Sequence, residues 1–166
     1  TLGGTCVNVG CVPSKILLRA GEINHRQGHH PFAGVPAQGG AVDRSALLGQ
    51  LQGRVEALRR DKYERILAQT DGVELIQGHA RFTGAGTLGV EQSGGETVHL
   101  APDRILVATG ASPAVPPIPG LADTPWWTST EALFTDEAPE HLAVIGASFV
   151  ACEIAQAFRR LGSEVT

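Results

Sequence analysis

Gly3-Gly4-Thr5-Cys6-Val7-Asn8-Val9-Gly10-Cys11-Val12-Pro13-Ser14-Lys15 is the stretch that decides how this chain is read. Two cysteines stand five positions apart, behind a glycine-threonine turn and ahead of a segment with helical spacing. Tetrahedral zinc sites use closer pairs and further ligands nearby, so this is a poor metal motif. It is a good redox pair. A short loop containing Gly10 can bring the sulfurs together, the helix N-terminus that follows favours a thiolate, and Lys15 adds positive charge. A purely structural crosslink would close a loop too short to restrain much chain entropy.

The bulk composition narrows the classes. The 166 residues are 42% hydrophobic with 21 Gly and 10 Pro, which suits a loop-rich α/β protein able to bury a core. A net charge of −4 argues against a nucleic-acid or anionic-membrane surface. No apolar run approaches the roughly 20 residues of a membrane helix. Three cysteines, two of them in redox spacing, fit a reducing cytoplasm better than a disulfide scaffold. Without a starting Met, and ending on what reads as a strand, the chain is expected to be an internal piece of a longer protein, inactive alone.

Working outward, Lys15 to about Gln27 reads as a helix with Ile16, Ala20 and Ile23 on one face, ended by Gly28 and Pro31. Asp43 is a plausible N-cap for a long amphipathic helix through about Ala68, carrying Leu47, Leu51, Val55, Leu58, Ile66 and Leu67. From Val73 the pattern changes to short strands: Val73–Gln77, Thr87–Val90 and Thr97–Leu100 as a meander, then Arg104–Ala108 as a buried strand stopping at Thr109-Gly110. Pro113, Pro116, Pro117 and Pro119 make a stiff connector. Leu142–Ile145 reads as a strand, Gly146 as its turn, and Ser148 to Leu161 as a helix stopped by Gly162, with Val165 opening the next strand. This is the first strand-turn-helix of a dinucleotide-binding unit. Its glycine fingerprint, Gly146-Ala147-Ser148-Phe149-Val150-Ala151, is a weak signal alone, because Ser148 holds the place of the second glycine.

The redox string resembles the active site of the flavin-dependent pyridine nucleotide-disulfide oxidoreductases. The turn Ala108-Thr109-Gly110 and the strand end Gly78-His79-Ala80-Arg81-Phe82 are similar to that family's flavin-side turn and adenine-side strand. The resemblance implies an α/β, FAD/NAD(P)-binding Rossmann-like two-domain fold, present in part: a three-layer sheet with a β-meander, then the start of a second dinucleotide-binding unit. Residues 1–115 would be part of the FAD domain, 116–138 the connector and 139–166 the beginning of the NAD(P) domain. It also implies FAD and NADPH as cofactors, with Cys11 as the thiolate nearer the flavin and Cys6 as the interchange sulfur of a Cys6–Cys11 disulfide. Gly4, Thr5, Lys15, Ala80, Ala108, Thr109 and Gly110 would face FAD; Gly146, Ser148 and Ala151 would face the pyridine nucleotide. Lys15 would lie near flavin N5 and pair with Glu153.

The connector from Pro116 to Leu133 and the run from Glu140 to Thr166 resemble the mercuric-ion-reducing branch of the family. That implies Hg(II) or its thiol complexes as substrate, held transiently by Cys6 and Cys11 and reduced to Hg(0), in a homodimer. A soft thiolate pair suits a soft metal ion. The alternatives are a dihydrolipoyl- or glutathione-type disulfide reductase and a non-catalytic thiol-based redox sensor. Other residues carry less: His25, His29 and His30 read as a solvated helix end, Cys152 as a small residue in a packed helix, and Trp126 and Trp127 as connector packing.

Overall fold

A computed structural model describes all of residues 1–166, in two compact units: residues 1–66 with 111–166, and residues 67–110. The first unit is mainly helical. Helix α1 (Gly4–Val9) is separated from α2 (Cys11–Gly28) by Gly10 alone, so the expected loop between the cysteines is itself mostly helix. Pro13 is tolerated in the first turn of α2, where a backbone N–H would have no intrahelical acceptor. Asp43 caps α3 (Arg44–Arg59) as expected, accepting from the Ala46 amide at 2.9 Å. The helix then passes through a π-helical turn at Arg60–Glu64 before a last short helix, α4 (Arg65–Ala68).

Helix α5 (Ser129–Phe134) opens on a capping box, Thr128 with Glu131. Strand β4 is only His141–Leu142, pairing in parallel with β5 (Glu164–Val165), with α6 (Phe149–Arg160) between them in sequence. This β-α-β arrangement begins the parallel sheet expected of a dinucleotide-binding unit. The expected strand through Ile145 stops at Leu142 because Val165 is its last ladder partner. The backbone bond from Val144 N to Thr166 O, 2.8 Å, extends the association slightly.

The core joins Leu17, Leu51, Val55, Leu133, Ile154, Phe158 and Leu161 from α2, α3, α5, α6 and the residue after it. In α2 the inward stripe is Pro13, Leu17 and Gly21, one position round from the expected Ile16, Ala20 and Ile23; Ile23 is exposed. The stripe follows the crossing with α6, where a residue without a side chain is needed, rather than the larger apolar residues. In α3 the buried apolar positions are Leu51 and Val55, while Ile66, beyond the π turn, is exposed. Arg44 is also buried, its guanidinium 5.1 Å over the Phe158 ring and one nitrogen donating to Thr135 O at 3.1 Å. Burial lowers its pKa and Asp136 partly opposes that shift.

The second unit contains an antiparallel meander of β1 (His79–Gly84), β2 (Thr87–Glu91) and β3 (Thr97–Leu100), in that order. Two of these were expected; His79–Gly84 takes the place of Val73–Gln77, which forms no strand. Arg104–Ala108 likewise forms no strand, and Leu106 is 91% exposed rather than buried. Both runs have strand-like composition, but a strand exists only where a neighbour completes its ladder, and neither run pairs with a strand of this chain.

Candidate redox site

Gly10 forms the tight break between the two helices that carry the cysteines. A Cβ built there would lie 3.0 Å from Thr5 O and 3.4 Å from the Cys6 Cα, so the backbone of α1 comes down directly onto the break before α2. Cys6 and Cys11 are both exposed free thiols. The neighbouring Cys11 side chain, with a smaller desolvation effect, pushes the Cys6 thiol above its ordinary range. Cys11 is the first residue of the 18-residue α2, at the end where the helix dipole places partial positive charge.

Four residues on, Lys15 makes an ion pair with Glu153 of α6. Their side chains are 60% and 29% exposed, so the pair contributes about 0–1 kcal/mol to stability and its interest is positional. Ser14 helps to aim it: its hydroxyl lies 3.2 Å from Glu153 Oε2 and 3.2 Å from Cys11 O. Glu153 reaches this place because α2 and α6 run side by side in the same direction. Their contacts advance together, from Lys15 with Glu153, through Gly21 under Ala157, to Asn24 donating to Arg160 O at 2.9 Å.

At the turn into α6, Gly146 has φ +123° and no heavy atom within 4 Å of a Cβ position. Ser148 is the N-cap, its Oγ accepting from Ala151 N at 3.4 Å, an arrangement that leaves the hydroxyl hydrogen available to donate. A cavity of about 840 Å³ opens there, lined by Ile145, Ser148, Val150, Ala151, Pro113 and Trp126. Its volume lies within the range of small-molecule and cofactor sites. Gly3 and Gly4, with φ +89° and +60°, form the turn before α1, and a Cβ at Gly4 would meet nothing. At Gly4 this is open backbone of the kind a phosphate-bearing ligand can approach, whereas a Cβ at Gly3 would press on Val7 and Asn8 at 3.2 and 3.3 Å.

Every residue expected at the thiol pair and at the α6 fingerprint therefore lies in the first unit; Cys6 ends up on α1 and Cys11 at the start of α2, and Lys15, four residues after Cys11, pairs with Glu153 of α6. Ala80, Ala108, Thr109 and Gly110 lie in the second unit; Ala80 is on β1, opposite Val90, and the other three are exposed. Cys152 is exposed, not packed, because the buried stripe of α6 runs through Ile154, Ala157 and Phe158 on another face. The His25 and His29 rings stack at 4.1 Å, and no group of three potential ligands is close enough to hold a metal ion. Trp127 packs against Phe158 with ring centroids 6.2 Å apart.

The profile of the pyridine nucleotide-disulphide oxidoreductase family matches residues 1–166. The chain belongs to that family.

Among curated relatives, the mercuric reductase of Shigella flexneri is 56% identical over 168 aligned positions, covering all of this chain and 30% of that protein. The mercuric reductase of Shewanella putrefaciens is 52% identical over 165 positions, covering 99% of this chain and 30% of its own. Of solved structures, the HOCl-induced flavoprotein disulfide reductase RclA of Escherichia coli superposes with a TM-score of 0.78 at 30% identity, covering 98% of this chain and 33% of that one. The chain thus spans about a third of the length of the curated relatives it matches. Members of this oxidoreductase family use FAD and NAD(P)H. No helix is long and apolar enough to cross a membrane.

Sequence reasoning did not single out Ser14, Asn8 or Arg59. Ser14 is visible only once α6 is placed beside α2. Asn8 carried a signal that could have been used: a side-chain amide one helical turn after a double glycine can reach back to the carbonyls of that turn.

Proposed function

We propose that this chain carries the redox-active dithiol of an NADPH- and FAD-dependent enzyme that reduces Hg(II) to Hg(0). The single observation that carries the reading is the placing of two exposed free thiols, Cys6 on α1 and Cys11 at the head of α2, on either side of Gly10 and beside the Lys15–Glu153 pair. On this reading residues 1–115 belong to the flavin domain, 116–138 to the connector and 139–166 to the pyridine-nucleotide domain, in a cytoplasmic homodimer.

The residues fit the cofactors in kind. The open backbone at Gly4, with Thr5, would take the flavin's phosphate or ribityl side; Ala80, Ala108, Thr109 and Gly110, all in the second unit, are assigned to the flavin by family likeness alone. Gly146, Ser148 and Ala151 would take the pyridine nucleotide, with the N-terminus of α6 favouring its phosphates. Bound FAD and NADPH would together supply the two-electron hydride relay that this chain's side chains cannot provide. Lys15, held by Glu153, places a positive charge near Cys11, and Cys11 and Cys6 hold the soft metal ion through sulfur. The 45–56% identity to proteins named mercuric reductase supports Hg(II) as the substrate. The likeness to RclA, named a flavoprotein disulfide reductase, favours a small disulfide as the second reading.

The test is NADPH oxidation by the flavin-loaded holoenzyme, followed with Hg(II) and separately with small disulfides. Hg(II)-dependent oxidation that disappears in Cys6→Ser and Cys11→Ser is expected. Oxidation driven by disulfides and indifferent to Hg(II) selects the second reading, and oxidation that survives both substitutions removes the dithiol from the mechanism.

A further inference from the structure

Asn8 stands between the two cysteines, and its side-chain amide makes three hydrogen bonds. Nδ2 donates to Leu2 O and to Gly4 O, both at 2.8 Å, and Oδ1 accepts from an Arg59 guanidinium nitrogen at 3.3 Å. The orientation of the amide follows from chemistry: two carbonyls can only accept and a guanidinium can only donate. Arg59 closes α3 and is itself fixed by Glu64 of the π-helical turn, Nε to Oε1 at 3.2 Å. A chain of contacts therefore runs from the glycine turn through the redox helix to the end of α3.

From this arrangement we propose that Asn8, braced by Arg59, is a positioning residue that holds Cys6 where it can close onto Cys11. Helix α1 needs such help. At six residues it is far below the length of about 12–15 at which a helix persists by itself, and its N-cap, Gly3, offers no side-chain bond. Asn8 joins the carbonyl two residues before Gly4, and that of Gly4, to the last turn of the helix, so that Cys6 lies inside the span that is tied.

The consequence falls on the thiol–disulfide equilibrium. When the pair closes, Cys6 and Cys11 give up two protons and two electrons as the S–S bond forms; glutathione disulfide accepts them and becomes two molecules of glutathione. In the disulfide, the S–S bond itself restrains α1 against α2. In the dithiol, only the noncovalent ties do. Loosening Asn8 enlarges the dithiol ensemble more than the disulfide ensemble, and closure becomes less favourable by loss of effective concentration.

The inference rests on the redox-pair reading, and its test separates the two. The flavin-loaded holoenzyme is equilibrated across a series of glutathione/glutathione disulfide ratios, and free Cys6 and Cys11 are counted by alkylation and mass spectrometry, with neither NADPH nor Hg(II) present. Asn8→Ala and Asn8→Asp, the latter unable to donate when ionised, should shift the ratio about tenfold toward the dithiol, which is about 30 mV. Arg59→Ala should shift it the same way by less, and the double variant Asn8→Ala with Arg59→Ala should do no more than Asn8→Ala, because the two act as one unit. A residue that only stabilises the fold would lower the urea midpoint and leave this ratio unchanged. An unchanged ratio, within twofold, in folded Asn8→Asp overturns the inference while the redox pair stands; if Asn8 variants do not fold, the same result in Arg59→Ala overturns it. A wild-type pair that never closes at any ratio overturns both.

Discussion

Replacing Gly21 and Gly53 by alanine applies one chemical change at two helix interiors and should stabilise only at Gly53. Alanine in a helix interior is favoured over glycine by about 1 kcal/mol, through backbone entropy. At Gly53 in α3, a Cβ would meet nothing within 4 Å, so Gly53→Ala should realise most of that gain, about 0.5–1 kcal/mol of added stability. At Gly21 the Cβ would lie 3.3 Å from Ala157 O and 3.3 Å from the Arg160 Cβ, each a few tenths of an ångström too close. Ala157 O cannot turn aside, because it accepts from Leu161 N at 3.0 Å and Ala157 is in the core. Overpacking of this kind costs about 1–3 kcal/mol. Set against the propensity gain, Gly21→Ala should fall between neutral and about 2 kcal/mol destabilising, leaving the two variants about 1–3 kcal/mol apart. Urea denaturation followed by circular dichroism measures the difference as a shift of midpoint at constant slope. If Gly21→Ala is as stabilising as Gly53→Ala, the α2–α6 crossing is looser than a 3.3 Å approach requires, and it does not set Glu153 against Lys15.

Gly10→Ala should slow closure of the cysteine pair by tenfold or more, on the order of 1.4 kcal/mol of misplacement, because its Cβ would press on Thr5 O at 3.0 Å; iodoacetamide protection after mild oxidation reads it. Cys11→Ala should move the pH of half-maximal Cys6 alkylation downward, since the neighbouring Cys11 side chain is the main cause of its upward shift. The opposite movement would show that Cys11 favours the thiolate. The Glu131 carboxyl is lowered, chiefly by the Thr128 hydroxyl and then by backbone hydrogen bonds of the capping box. A lowered carboxyl contributes stability that is present above its unfolded pKa and is lost as pH falls through the folded one. Stability should therefore decline through the acid range in the wild type and decline less steeply in Glu131→Gln, as thermal unfolding at a series of pH values would register.

What could be read beforehand was chemistry that is local in sequence. The pair Cys6 and Cys11, the need for Gly10 between them, the Asp43 cap and the helix from Ser148 stopped by Gly162 all follow from residues within a turn or two of one another. The Lys15–Glu153 pair spans 138 positions and was reached through family likeness, since an isolated Lys or Glu carries no such signal. The misses have a common origin in long-range context. Leu106 and Val107 have the composition of a buried strand, yet they lack a ladder here and are exposed. Composition states what a segment could bury, while pairing depends on what lies beside it. The periodicity of large apolar residues puts the stripe of α2 one position away from the one that is buried, because the tightest contact with α6 is made by a glycine.

That glycine also explains why the site is built on helices that meet so closely. An exposed ion pair of about 0–1 kcal/mol is too weak to align two helices, so Lys15 and Glu153 do not create the α2–α6 arrangement. The order of causes runs the other way. Leu17, Ile154, Ala157 and Phe158 bury the shared face, Gly21 permits the approach, and Asn24 fixes the far end on Arg160 O. Once those contacts set the register, Glu153 has to lie over the first turns of α2, where Ser14 and Lys15 meet it and Cys11 is one turn away. The electrostatic setting of the thiol pair is thus a by-product of packing. A substitution in the apolar crossing should disturb that setting more than removal of the Lys15–Glu153 pair disturbs the fold.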